Sequence, residues 1–266
     1  MMNRDEQVKI LIDILLDEMP QYREQANTFP EDYLSQRRLL RSLMNMRPPM
    51  RISEKFLKIQ DALLSEETDA KGIVDADLLP GTSDPRLVLW VGDITTLKVD
   101  AIVNAANERM LGCFVTCHAC IDNVIHSAAG MQLRQACFDQ MSAQGYPEPT
   151  GKAKITSGYN LPCKNILHTV GPIIDGPLTA EDCSHLADCY RSCLSLAASI
   201  GLESVAFCCI STGEFHFPQQ RAAEIAVQTV TEFLKTDTHI KKVIFNVFRK
   251  EDQLIYQKLL YKKIPG

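Results

Sequence analysis

No run of apolar residues in this 266-residue chain approaches the roughly 20 needed to cross a bilayer as a helix, so no membrane span is expected. An apolar run does stand near the start, in MMNRDEQVKILIDILLDEMP. Acids interrupt it and no small-residue cleavage site follows. It reads as an amphipathic helix, and the expected location is the cytoplasm. A basic stripe is missing as well. The formal net charge is -5, from 28 Lys and Arg against 33 Asp and Glu, which argues against a nucleic-acid partner. The ten cysteines lack the spacing of a disulfide framework, and the chain is long enough to build a core without one. Six of them (Cys137, Cys163, Cys189, Cys193, Cys208 and Cys209) lie in apolar runs, where a free thiol behaves as a small hydrophobe. No internal repeat is found. What remains is an ordinary soluble composition, 45% apolar and 23% charged, at a length that suits one α/β domain carrying an extra segment.

The order of patterns supports that division. Apolar residues recur at helical spacing in Gln7–Met19, Glu31–Met46 and Ser53–Leu64, and Arg47-Pro48-Pro49 breaks the second helix from the third. Pro80-Gly81-Thr82-Ser83-Asp84-Pro85 then opens a different pattern. Strands are expected at Leu87–Val91, Ala101–Val103, Ala153–Ser157, Asn165–Val170, Ser204–Ile210 and Lys242–Val247. Helices are expected at Ile121–Ala129, Ala180–Ile200, Gln219–Lys235 and Glu251–Tyr261. Such alternation implies a sheet covered on both faces, with ligands at the C-terminal ends of its strands. The expectation is a helical extension over 1–80 and an α/β unit over 81–266.

One short segment has metal-ligand chemistry. Cys113, Cys117 and Cys120 crowd around His118, and thiolate with imidazole is a favoured donor set for zinc. Taken on spacing alone, reduced cysteines buried in a loop remain an equal alternative.

Five segments together carry a resemblance. They are VGDIT (Val91–Thr95), AIVNAAN (Ala101–Asn107), IDNVIHSAAG (Ile121–Gly130), ISTGEFHFP (Ile210–Pro218) and VIFNVF (Val243–Phe248). In this order they resemble the macrodomain, a three-layer α/β/α module with a mixed central sheet that binds ADP-ribose. The resemblance runs from about Arg86 to the C-terminus, and no single motif in it would suffice. It implies that Asp93 and the Ile94 backbone take adenine, and that the Ser211-Thr212-Gly213-Glu214-Phe215 turn clamps the diphosphate. A small-residue turn before a helix suits a pyrophosphate. It further implies ligand contacts at Asn104, Asn107 and Asn123, and stacking of Phe248 on adenine. Plainer readings stand beside these: a turn aspartate for Asp93, a βα connection for residues 211–215, a core aromatic for Phe248.

Where hydrolytic macrodomains usually carry a glycine-rich loop, this chain has Gly112 to Cys120. Cys113, His118 and Cys120 match the C-x4-H-x-C arrangement of a zinc-containing bacterial macrodomain subgroup of protein-ADP-ribose hydrolases. Three protein ligands leave a fourth position open, as in catalytic sites, and Cys117 matches no ligand position there. The resemblance implies that Asn107 and Asp122 handle the distal ribose and the attacking water. Asp122 has a helix-capping alternative, and His126 reads as structural. The expected activity is zinc-dependent removal of ADP-ribose from mono-ADP-ribosylated proteins, reversing a sirtuin-type transferase. The subgroup is associated with lipoyl-carrier proteins. Rival readings are a non-catalytic ADP-ribose reader, a hydrolase of O-acetyl-ADP-ribose, and a structural zinc completed by Cys117. The N-terminal helices are expected either to cover one face of the sheet or to recognise the protein substrate.

Overall fold

The computed structural model describes residues 2–261, so 262–266, the last residues of the expected α/β unit, lie outside the described residues. The chain opens with α1 (Arg4–Glu18), whose first turn is closed by a reciprocal Asn3–Glu6 capping box. The short α2 (Arg23–Ala26), then α3 (Tyr33–Met46) and α4 (Glu54–Lys71), follow. Gly72 ends α4 at φ +88°, a backbone angle that favours glycine. The apolar faces of α1, α3 and α4 close on one another around Leu11, Leu15, Leu40, Phe56 and Leu63. Arg47, fully buried after α3, pairs with Glu18 at 2.5 Å.

Beyond α4 the chain forms strands β1 (Val74–Asp75), β2 (Leu87–Val91), β3 (Leu97–Lys98) and β4 (Ala101–Ala106). Next come α5 (Ile121–Ala129), α6 (Met131–Gln144), β5 (Ala153–Ser157) and β6 (Asn165–Val170). The series ends with α7 (Ala180–Ser199), β7 (Ser204–Phe207), α8 (Gln219–Thr236), β8 (Lys242–Val247) and α9 (Lys250–Leu260). A six-stranded sheet runs β2-β8-β7-β4-β6-β5, with every neighbouring pair parallel except β5–β6. It is therefore mixed. The apolar runs of β4, β6 and β8 are buried almost throughout, as strands covered on both faces must be. Helices α7, α8 and α9 pack together as one layer, and α5 with α6 form the other. Helices α3 and α4 pack on α5 and so thicken that second layer.

Several expectations change. Strand β4 runs on to Ala106 rather than ending at Val103, so Asn104 lies within it. Helix α6 was not foreseen, because its buried side chains (Met131, Leu133, Arg134, Cys137) include a charge and make only a thin apolar stripe. Strand β7 stops at Phe207 rather than Ile210, since the chain turns there toward Ser211 at φ +63°. The two-residue pair β1–β3 ties Val74 and Asp75 to Leu97 and Lys98, and Ala76 joins the core of the sheet. That core thus begins a few residues ahead of position 81. Among the described residues no helix is long and apolar enough to cross a membrane.

Candidate active site

The parallel strands bring their C-terminal ends to one edge of the sheet, where ligands bind in open α/β folds. From that edge emerge Asp93 after β2, Asn107 after β4, the turn leading to Ser211 after β7, and Phe248 after β8. Segments more than 100 residues apart in sequence are thereby neighbours.

Asp122 is the buried centre of this edge. It lies in the first turn of α5, and its Oδ1 accepts from Asn104 Nδ2 at 2.8 Å while Oδ2 accepts from Asn107 Nδ2 at 3.3 Å. Burial, opposed by those two amides and the Arg134 charge, raises its pKa to about 6. The helix is capped by another residue: Cys120 Sγ accepts from Asn123 N at 3.4 Å. The carboxylate is therefore free of the capping duty that offered its plainer explanation. Behind Asp122, Asn104 Nδ2 also donates to His168 Nδ1 at 3.2 Å, which leaves His168 Nε2–H to donate to Thr156 Oγ1 at 2.8 Å. Burial holds His168 neutral, down to about 3. His126 is buried too, its Nε2 lying 3.5 Å from Asp122 Oδ1, and burial first, then His168 and Arg134, push its pKa well down.

Two side chains expected on the ligand stand elsewhere. Asn104 is fully buried and orients Asp122. Asn123 is fully buried and spans the loop ahead of it, donating to Val115 O at 2.8 Å and Cys113 O at 3.3 Å. Both lie behind the site, holding its parts in place. Asn107 is partly exposed beside Asp122, and its Nδ2 also donates to Gly112 O at 3.2 Å.

The loop from Gly112 to Cys120 brings Cys113, His118 and Cys120 together, with their ligating atoms all within 4.8 Å of one another. Cys113 Sγ and His118 Nδ1 are 3.7 Å apart. A tetrahedral zinc, with bonds of about 2.3 Å to sulfur and 2.0 Å to nitrogen, spaces such a pair by about 3.5 Å. The donor set fits. His118 Nε2 faces Glu214 Oε1 at 3.7 Å, so a carboxylate stands at the imidazole's other nitrogen, where ligating histidines usually find an acceptor. Burial pushes the Cys120 thiol up to about 12, and metal binding displaces such a proton. Cys117 is not in this group: at φ +52° it turns its sulfur toward α3, 3.3 Å from Ser42 Oγ. A second group, His126, Cys137 and His168, is wholly buried, and both ring nitrogens of its His168 already have protein partners.

The remaining segments line the same edge. Asp93 Oδ1 accepts from Thr95 N at 3.0 Å and from Thr95 Oγ1 at 2.6 Å, while Oδ2 takes Lys71 Nζ at 3.2 Å. Burial raises this carboxyl, but the Thr95 bonds and Lys71 outweigh it and hold it below its ordinary value. Ile94, next to it, is buried. Thr212 and Phe215 are half-buried, Gly213 and Glu214 exposed. Ser211 Oγ is buried without a partner. A Cβ on Gly171 would come 2.0 Å from that hydroxyl, so only glycine fits there. Phe215 O accepts from Ile174 N at 2.9 Å, which ties the turn to the segment after β6. Phe248 is 81% exposed, and the core reading for it fails.

The comparisons decide what this arrangement belongs to. The Macro domain family model matches residues 103–226. A protein of Treponema medium named protein-ADP-ribose hydrolase is 54% identical over 262 residues, covering 97% of this chain and 100% of that one. One of the same name from Staphylococcus aureus is 46% identical over 252 residues, 94% of each chain. The chain belongs to the macrodomain family. The fold of this macrodomain is also that of the Trypanosoma brucei macrodomain solved in complex with ADP-ribose, at TM-score 0.64 and 30% identity over 82% of this chain and 94% of that one. Several residues that build the macrodomain's site carry no motif. Arg41 and Asn45 of α3 reach the Gly112–Cys120 loop across more than 70 residues of sequence. Arg134 of α6 is buried, donating to Leu111 O, Met44 O, Asn45 O and Arg47 O. A charge inside an apolar helical stripe was the available signal for Arg134; for Arg41 and Asn45 there was none.

Proposed function

We propose that this macrodomain hydrolyses ADP-ribose from mono-ADP-ribosylated proteins with one zinc ion at Cys113, His118 and Cys120, and so reverses a sirtuin-type transferase in the cytoplasm. The α/β unit, expected over 81–266 and begun a few residues earlier at β1, carries binding and hydrolysis, and the helices through α4 form the extension. The observation that carries the reading is the convergence of a three-donor metal set with the buried Asp122 and its partly exposed partner Asn107 at the C-terminal edge of the sheet. The relatives' name, protein-ADP-ribose hydrolase, agrees with the hydrolase part of the reading. Simple recognition of ADP-ribose needs neither the metal set nor the buried carboxylate.

In this reading adenine meets Asp93 and the Ile94 backbone and stacks on Phe248. The diphosphate sits in the Ser211–Phe215 turn, ahead of the N-terminus of α8, where the unpartnered Ser211 hydroxyl gains an acceptor. Asn107 orients the distal ribose. Zinc, when bound, supplies Lewis-acid polarisation at the distal ribose. Asp122 accepts a proton from the attacking water; the water oxygen bonds to C1″, the bond from C1″ to the side-chain heteroatom breaks, and the proton passes to that heteroatom. Its pKa of about 6 suits a base working near neutrality.

The test is incubation with a panel of ADP-ribosylated proteins, a lipoyl-carrier protein among them, with and without a chelator. Chelator-sensitive release of ADP-ribose is expected. Release from no protein on the panel, together with retained ADP-ribose binding, returns the chain to the reader class; activity confined to O-acetyl-ADP-ribose makes it a metabolite hydrolase.

A second expectation concerns adenine. Asp93→Ala should weaken ADP-ribose binding by about 1–3 kcal/mol, the cost of leaving a buried polar group unpaired, measured by calorimetric titration. Asp93→Asn keeps an acceptor for Thr95 and so separates the ligand contact from the turn. Unchanged affinity in both variants leaves Asp93 as a turn residue.

A further inference from the structure

The metal loop has two ends, and they are held by different parts of the molecule. Its first half is tied to α5 and α6: Asn123 donates to Cys113 O and Val115 O, and Arg134 Nε donates to Leu111 O at 2.8 Å. Its second half is tied to α3. Arg41 Nη2 donates to His118 O at 2.9 Å, and Asn45 Oδ1 accepts from Cys117 N at 2.9 Å. Ser42 Oγ meets Cys117 Sγ at 3.3 Å. The same Arg41 nitrogen donates to Asn123 Oδ1 at 2.8 Å, so it joins the His118 end of the loop to the side chain that holds the Cys113 end.

This stretch needs outside support. It forms no helix or strand between Gly112 and Cys120, and it passes through positive φ at Gly112 and at Cys117. A non-glycine residue in that region is strained unless its surroundings fix it. Within the loop His118 N donates to Val115 O at 3.3 Å; the contacts that reach Cys117 N and His118 O from another element come from α3, which belongs to the N-terminal helices.

Resting on the zinc reading above, we propose that α3 is part of the metal centre, with Arg41 and Asn45 as positioning residues that hold His118 in register with Cys113 and Cys120. The extension sets how tightly the tripod binds its metal. Partners behind a ligand shell typically change metal affinity by about 10–100-fold when removed, and Arg41 stands directly behind His118 and, through Asn123, behind Cys113.

The experiment uses the full chain and zinc alone, with affinity read by competition against a chromogenic chelator. Arg41→Ala should bind zinc about 10–100-fold more weakly, and Asn45→Ala should shift in the same direction. Arg41→Lys keeps a cationic donor and should recover most of the affinity. ADP-ribose affinity of the zinc-free variants should match that of the parent, which shows that the fold is intact. A parent that binds zinc while Arg41→Ala binds it within about twofold overturns the clamp and leaves the tripod standing. A parent that binds no zinc overturns both. Loss of ADP-ribose binding together with zinc in Arg41→Ala makes the contact a matter of folding and also overturns the proposal.

Discussion

Asp122→Ala is expected to slow ADP-ribose release by about 100-fold or more, the usual worth of a positioned general base, while ADP-ribose affinity stays within about threefold. The two halves of that result have separate physical sources. Affinity is assigned to the adenine and diphosphate contacts along the edge, at Asp93, Phe248 and the Ser211–Phe215 turn. Asp122 instead sits in a buried pocket between Asn104 and Asn107, both of which aim an amide N–H at it. Its position suits the end of the ligand where the bond breaks.

Helix capping would have blurred this test, since a lost cap costs about 1 kcal/mol. Here Cys120 provides the cap, so melting curves of parent and variant should stay close. Asp122→Asn is a stricter companion. It keeps the volume, but of its two polar atoms one becomes a donor, which must then face either Asn104 or Asn107 as donor against donor. Slow hydrolysis in both variants, with affinity retained, supports the base. Parent-like hydrolysis in the folded Asp122→Ala removes Asp122 from the mechanism and leaves it as a buried partner of two amides.

How much of this could be read from the chain depends on the range of the interactions involved. Strands β2, β5, β6 and β8 have the bounds their apolar runs suggest, because a strand covered on both faces is apolar at almost every position and needs no outside information. That the candidate residues gather at one edge was readable for a related reason: they follow strand ends, and strand ends converge. That Cys113, His118 and Cys120 cluster was readable because they are close in sequence as well as in space. Asn104 and Asn123 show the limit. Both lie in the right segments, yet which side of the backbone faces the pocket is set by packing, and both turn inward. Helix α6 shows another limit, since the buried guanidinium of Arg134 is satisfied by carbonyls at the end of α3 and after it, a pairing no local spacing records. The place of the N-terminal helices was open for the same reason. Arg41 and Asn45 are ordinary polar residues of an amphipathic helix until α3 meets α5.

The proposed zinc gives the other large effect. Protein purified without added metal is expected to contain about one zinc per chain by elemental analysis, and replacing Cys113, His118 and Cys120 together should abolish it. Hydrolysis should fall by about 100-fold or more in that variant, since metal polarisation contributes several kcal/mol to reactions of this kind. Treatment of the parent with a chelator should do the same, and added zinc should restore the rate. ADP-ribose binding should survive the loss, because the proposed adenine and diphosphate contacts follow β2, β7 and β8, away from the loop after β4. Cys117→Ser is the internal control: its sulfur faces Ser42 and the Arg38 carbonyl rather than the tripod, so zinc content should be unchanged. If Cys117→Ser alone removes the zinc, the ligand set is wrong and the closed, structural form of the site takes its place. If metal-free protein hydrolyses at the full rate, the catalysis belongs to Asp122 and Asn107 without the metal.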